Sequence, residues 1–338
     1  RRRPIGPEAR RRRAGLTALP EPDLWAEQRP RLVEAVARRD QQAVEVVVSR
    51  GPGFARRDAL ETSLPAWAKA RVANRMHEAE VHLAAARAIG GSLGRIQGDE
   101  FVRDVVAEIE RSGPRAAATA RLSALVSGHL ALEEGRSLLA ESRLDAGVGK
   151  LRDAERDLAA ARSPLILRAR CMLAKAAYVQ ANFEEGLALA ERVRKEATGL
   201  PYPALRAETA RWVGLLRSVL GRPAEAIEAY NAALADLETA GSRDDVAAVK
   251  SLLAENLAVL GADEEAWALR VEALRVAETF RGTGGTYNIA FEAADAAIAE
   301  GHPRAALPLL DAAVAAAETS GNRVALFEIL IERSTARD

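Results

Sequence analysis

The chain of 338 residues has one cysteine, few aromatic residues (4%) and no excess of either charge, with 48 Lys+Arg against 48 Asp+Glu. A single cysteine excludes a disulfide framework and any zinc site built on several thiolates. It suits a reducing compartment, and the cytoplasm is the expected location. A balanced charge argues against a dedicated nucleic-acid binder, which needs a clustered basic excess. No apolar run approaches the roughly 20 residues that span a bilayer. With 49% hydrophobic and 28% charged residues, wholesale disorder is excluded as well.

What is present is a helical vocabulary. Alanine fills about a fifth of the chain, and Leu, Arg and Glu supply much of the rest. The length fits two domains or one elongated repeat array, and the composition favours the array. Arg1 is not an initiator methionine and no apolar signal segment follows it. Residues 326–337 run to the end in helical pattern, so further sequence is expected on both sides.

Residues 1–22 read as a basic flexible linker. RRRPIGPEARRRR carries seven arginines and one glutamate, and Pro4, Pro7, Pro20 and Pro22 discourage regular structure. The arm has no aromatic residue on which a base could stack. Residues 23–127 are expected to hold helical hairpins. Asp23 and Asp40 are candidate caps for the first two helices, and Val46-Val47-Val48 reads as a buried helical turn because no second strand pattern exists to pair with it. Breaks are expected at Gly90-Gly91, Gly94, Gly98-Asp99 and Gly113-Pro114, with Asp99 capping EFVRDVVAEIE.

From residue 128 to 338 the chain repeats with a period of about 40, its turns aligning at 141, 181, 221, 261 and 301. The segments are ESRLDAG, ANFEEGL, GRPAEAI, GADEEAW and GHPRAAL. The last three share a glycine and an alanine five positions on: Gly221 and Ala226, Gly261 and Ala266, Gly301 and Ala306. A glycine suits the left-handed residue that ends a helix, and the acids that follow suit the next N-terminus. The small residue lets the second helix lie close to the first, and alanine recurs two helical turns later at Ala233, Ala273 and Ala313.

In GLLRSVLGRPAEAIEAYNAALADLE, the spacing of Gly221, Ala226, Tyr230 and Ala233 resembles the tetratricopeptide repeat. The period exceeds that family's 34 residues, and Glu141 and Ala181 stand where it has glycine. The resemblance implies an all-α, right-handed superhelical solenoid of antiparallel helix pairs. LAAARAIGGSLGRIQGDEFVRDVVAEIE, SGHLALEEGRSLLAES, the Ser163-Pro164 junction and GADEEAWALRVEAL further resemble the helical region of bacterial CHAT-domain proteins, in which such repeats precede a caspase-like peptidase. That implies a non-catalytic sensor region attached to a peptidase domain, acting through solenoid curvature or docking. The alternative is the helical sensor region of a transcriptional activator or a signalling kinase.

The chain offers little chemistry of its own. Cys171 is the lone thiol, lies within the helical LRARCMLAKAAY, and reads as a core residue. His77 and His82 are five residues apart, which places their rings about 140° apart around a helix and unsuits them as joint metal ligands. IGGSLGRIQGD and FRGTGGTYN lack the P-loop and dinucleotide patterns. The carboxylates alternate with arginines as exposed helix pairs. No cofactor and no metal site is expected. His129 is placed within a helix, Trp212 in the core, and Trp25, Trp67 and Trp267 as hairpin anchors.

Function is therefore sought on the surface. In hairpin solenoids the first helix of each pair lines the concave side. The 40-residue register nominates Arg168, Lys175, Tyr178, Arg211, Glu255, Asn288 and Asp295 as the partner-binding row. The expected partner is a protein or peptide, including an attached caspase-like domain, with nucleic acid disfavoured.

Overall fold

The structure, a computed structural model, describes residues 21–112, 116–278, 286–320 and 323–336, and among them there is no strand. The basic arm at residues 1–13, Gly113-Pro114 and most of FRGTGGTYN lie outside the described residues. Residues Arg29–Arg270 form one compact unit, and residues up to Gln28 together with Val271–Asp338 belong to a second.

The first helices in the chain are α1 (Glu21–Ala37) and α2 (Gln41–Arg50), and Asp40 caps α2 by accepting a hydrogen bond from the Ala43 amide at 3.0 Å. Asp23 does not cap α1, because the helix already begins at Glu21. The valine run lies in α2, but only part of it is buried: Val47 and Val48 face the core with Val44, while Val46, on the opposite side of the helix, is exposed. α3 (Pro52–Asp58) passes through a π turn at Ala59–Ser63 into α4 (Leu64–Val72). α5 (Met76–Gln97) and α6 (Phe101–Arg111) follow, joined at the left-handed Gly98. Asp99 accepts from the Phe101 amide at 3.2 Å, in the manner of a cap.

Gly90, Gly91 and Gly94 do not break the chain, since α5 runs through all three. Two of them serve close approach instead. A β-carbon at Gly90 would meet the Arg103 backbone nitrogen at 2.7 Å, and one at Gly94 would meet the Glu100 carboxylate at 2.7 Å. Their absent side chains let α6 lie directly on α5.

The repeats follow as hairpins: α7 (Ala116–Ala140) with α8 (Leu144–Ala160), α9 (Ile166–Val179) with α10 (Phe183–Ala197), and α11 (Pro203–Val219) with α12 (Pro223–Ala240). α13 (Arg243–Val259) and α14 (Asp263–Ala277) come next. The first helices α9, α11 and α13 pack against one another in a row, so they form the inner layer. In the second unit α15 (Thr286–Ala299) pairs with α16 (Pro303–Ser320), and α17 (Arg323–Thr335) packs on α16.

Left-handed residues end the first helices at Ser142, Ala181, Gly221, Gly261 and Gly301. The repeated alanines Ala226, Ala233, Ala266, Ala273, Ala306 and Ala313 are all fully buried. Tyr230 is buried too, and a β-carbon at Gly214 would stand 2.5 Å from its ring. The ring of one helix thus fills the space left by the glycine of its neighbour. Trp212 belongs to a core cluster with Cys171, Leu187, Val213 and Leu216. His129 is buried with its ring edge-on to Trp67 at 5.4 Å.

Two stability tests follow from these placements. Ala181 holds φ 59° without being glycine, so Ala181→Gly is expected to stabilise by about 0.5–1 kcal/mol, and Gly221→Ala to destabilise by about 1 kcal/mol. Urea unfolding that gave either change the opposite sign would contradict the turn geometry. Burial lowers the His129 pKa to about 4, with Nε2 unpartnered. The unfolded state takes up a proton near pH 6.5 and the folded state does not, so stability is full above that pH and falls as pH drops toward 4. His129→Leu is expected to remove a part of that acid loss on the order of 3 kcal/mol; an unchanged pH profile would contradict it.

Candidate functional site

The inner layer of the first unit is not left open along its whole length. The N-terminal helices α3 to α6 lie against it and hold it by polar contacts between residues far apart in sequence. The centre of this attachment is Arg56, whose side chain is almost wholly buried. Its Nε donates to Asp99 Oδ2 at 2.8 Å, and its terminal nitrogens donate to Gln97 Oε1 at 3.1 Å, the Ala240 carbonyl at 3.2 Å and Ser242 Oγ at 3.3 Å. A buried guanidinium is tolerated here because a carboxylate faces it and its donors find acceptors.

Further contacts widen the clasp. Arg57 packs over the Phe54 ring at 4.6 Å and pairs with Asp244 at 2.9 Å. Burial opposes its charge, but Asp244 and Asp245 more than offset this, and the Arg57 pKa is raised. The Glu100 amide donates to the Pro201 carbonyl at 2.9 Å, the Tyr202 hydroxyl donates to Asp104 at 2.8 Å, and the Phe101 and Tyr202 rings meet edge-on at 5.1 Å. The π turn sets Glu61 against Arg168 of α9.

Between α3, the π turn, α9, α11 and the start of α13 this clasp frames a partly open cavity of about 180 Å³. Arg56, Arg57, Arg168 and Arg211 line it, with Glu61, Glu208 and Asp245 among them. Its apolar walls are Leu60, Phe101, Leu205 and Leu237, all buried.

The nominated row divides accordingly. Arg168 pairs with Glu61 and, at 4.0 Å, with Glu208, so it serves the clasp and is not a free surface group. Arg211 lines the cavity with its guanidinium 5.3 Å from the Trp212 ring. Lys175 is exposed on α9 and Glu255 is exposed on α13. They occupy equivalent places in the 40-residue register, with the half-buried Leu215 of α11 between them. Tyr178 is half-buried, its ring 5.8 Å from Phe183 and 5.9 Å from Trp212, and belongs to the core margin. Asn288 and Asp295 are exposed on α15 in the second unit.

Cys171 is buried beside Thr209, with Sγ 3.6 Å from Oγ1, and burial pushes its thiol pKa up, the opposite of an activated nucleophile. Among the described residues no cluster of His, Cys, Asp and Glu could hold a metal, and no helix is long and apolar enough to cross a membrane. Sequence reasoning missed Arg56, Glu61 and Asp245. The Arg56–Ser242 contact joins residues 186 positions apart, and no local pattern signals such a pair.

Breaking the Arg56–Asp99 pair leaves a buried carboxylate uncompensated. Arg56→Ala is expected to cost about 3–5 kcal/mol, whereas Arg57→Ala, at a partly exposed pair, is expected to cost under about 1 kcal/mol. Equal losses in urea unfolding would show that Arg56 is not the centre of the clasp.

No family model and no curated protein matches the chain. Among solved structures it is similar to a Rap protein complexed with competence and sporulation factor, at a TM-score of 0.58 and 12% identity over 82% of this chain and 85% of that one. It is also similar to the Rap conjugation gene regulator of the plasmid pLS20 in complex with the Phr* peptide, at a TM-score of 0.53 and 13% identity over 80% of this chain and 78% of that one. At such identities the likeness is one of fold: the chain is an all-α protein of tandem, TPR-like helix pairs.

Proposed function

We propose that this chain is a regulatory scaffold that binds a protein or peptide along the inner layer of its repeats. The observation that carries the reading is the row formed by Lys175, Leu215 and Glu255 on the packed helices α9, α11 and α13. It offers a cation, an apolar step and an anion at successive repeats. That order suits an extended segment with an acidic residue at one end, an apolar residue in the middle and a basic residue at the other. Two proteins of similar fold were solved with a bound factor or peptide, which supports the same class of partner. The attachment to a caspase-like peptidase that the CHAT resemblance implies rests on the quoted sequence motifs alone.

The reading is tested by selecting peptides against the full chain from a random display library. Selected peptides are expected to share the acidic, apolar, basic order and to lose about tenfold in affinity, near 1.4 kcal/mol, with Lys175→Glu or Glu255→Lys. Peptides that bind equally well to both variants would place recognition elsewhere.

A further inference from the structure

The cavity under α3 is lined by charges whose pairing is incomplete. Arg56 is matched by Asp99, Arg57 by Asp244 and Arg168 by Glu61, with Glu208 at 4.0 Å from Arg168. Two lining groups remain. Arg211 has the Trp212 ring beside its guanidinium and, among the described residues, no carboxylate within ion-pair distance. Asp245 is half-buried and accepts no hydrogen bond from them. One cation and one anion therefore face the same space without a hydrogen bond or contact ion pair of their own, Asp245 lying only in the longer-range field of Arg211 and Arg57, and each is partly withdrawn from water.

The rest of the lining narrows the guest. A simple anion such as phosphate would meet Arg211 but also Glu61, Glu208 and Asp245. A metal cation would meet four guanidinium groups. A purely apolar guest would leave both charges unsatisfied. The buried walls Leu60, Phe101, Leu205 and Leu237 nevertheless call for an apolar part. The volume of about 180 Å³ sets the scale, since a cavity of about 150 Å³ admits benzene. One residue of medium size fills it.

We propose that this cavity binds a small zwitterion with an apolar side chain, a free α-amino acid of the leucine or phenylalanine kind, with its carboxylate on Arg211, its ammonium on Asp245 and its side chain against Leu205, Phe101 and Leu237. The Arg211 fork suits a carboxylate. Burial, then the neighbouring Asp244, raise the Asp245 pKa, while Arg211 and Arg57 act against this and Glu208 adds to it; a bound ammonium supplies the compensation that these neighbours leave incomplete. The guest would touch the repeats through α11 and α13 and the N-terminal helices through α3 and the π turn. It is a small-molecule site at the clasp, separate from the peptide row at Lys175 and Glu255.

The test is titration calorimetry on the full chain with L-leucine and L-phenylalanine. Three analogues accompany them: leucinamide, which lacks the carboxylate, N-acetyl-leucine, which lacks the ammonium, and glycine, which lacks the apolar group. At least one amino acid is expected to bind with one site per chain, and each analogue at least about tenfold more weakly. Arg211→Gln should weaken leucine but leave residual leucinamide binding unchanged, and Asp245→Asn should do the same with respect to N-acetyl-leucine. Arg211→Lys should restore part of the affinity. Both loss variants should keep the helical spectrum, and bound ligand should slow amide exchange in residues 52–63. No saturable binding of either amino acid at about 10 mM, or binding indifferent to both variants, would overturn the proposal.

Discussion

The arrangement of the first unit depends on one buried guanidinium. Arg56 is held by Asp99, Gln97, the Ala240 carbonyl and Ser242, and these partners come from both ends of the unit. Gln97 ends α5 and Asp99 lies in the link to α6, whereas Ala240 and Ser242 flank the turn between α12 and α13. A charge so deeply placed is stable only while all of these acceptors are present together. The contact therefore specifies where α3 lies more than it adds to net stability. It also decides which part of the inner layer stays open. The cavity side is roofed by α3, while Lys175 and Glu255 remain at the surface.

The repeated part of the fold was legible in the sequence because its determinants are local. A glycine at a left-handed turn and an alanine where two helices touch act within one hairpin, so they recur with the period of the hairpin. Gly221, Gly261 and Gly301 and the buried alanines after them show this directly. The N-terminal helices were less legible. Gly90 and Gly94 look like breakers in one dimension, yet in three they are the flat face on which α6 rests. Periodicity and punctuation cannot distinguish a glycine that ends a helix from one that admits a neighbour.

The site was legible only in part, for a related reason. Register placed Lys175, Arg211 and Glu255 on the first helices of their hairpins, because position within a hairpin recurs with the repeat. It did not show that the π turn would cover Arg168 or that α3 would pair with the start of α13, since those contacts cross more than a hundred residues. Burial of Arg168 against Glu61 changes its role from a recognition residue to a structural one. The same folding-back creates a partly open cavity whose walls come from several hairpins. A scaffold surface and a small-ligand cavity can thus coexist in one unit, the first made by the row of repeats and the second by the clasp.

The N-terminal helices are clasped onto the start of α13. A β-carbon at Gly53 would stand 3.6 Å from that of Ser242, within the range of about 3.5–4.5 Å that a disulfide requires. Cys171 is buried and does not compete. The direct measurement is therefore oxidation of the Gly53→Cys, Ser242→Cys double variant in the folded chain, followed by non-reducing electrophoresis and peptide mapping. A disulfide between the two substituted positions is expected to form rapidly within one chain, independently of protein concentration. A folded protein whose two introduced thiols stay reduced, or link only between molecules, would contradict it.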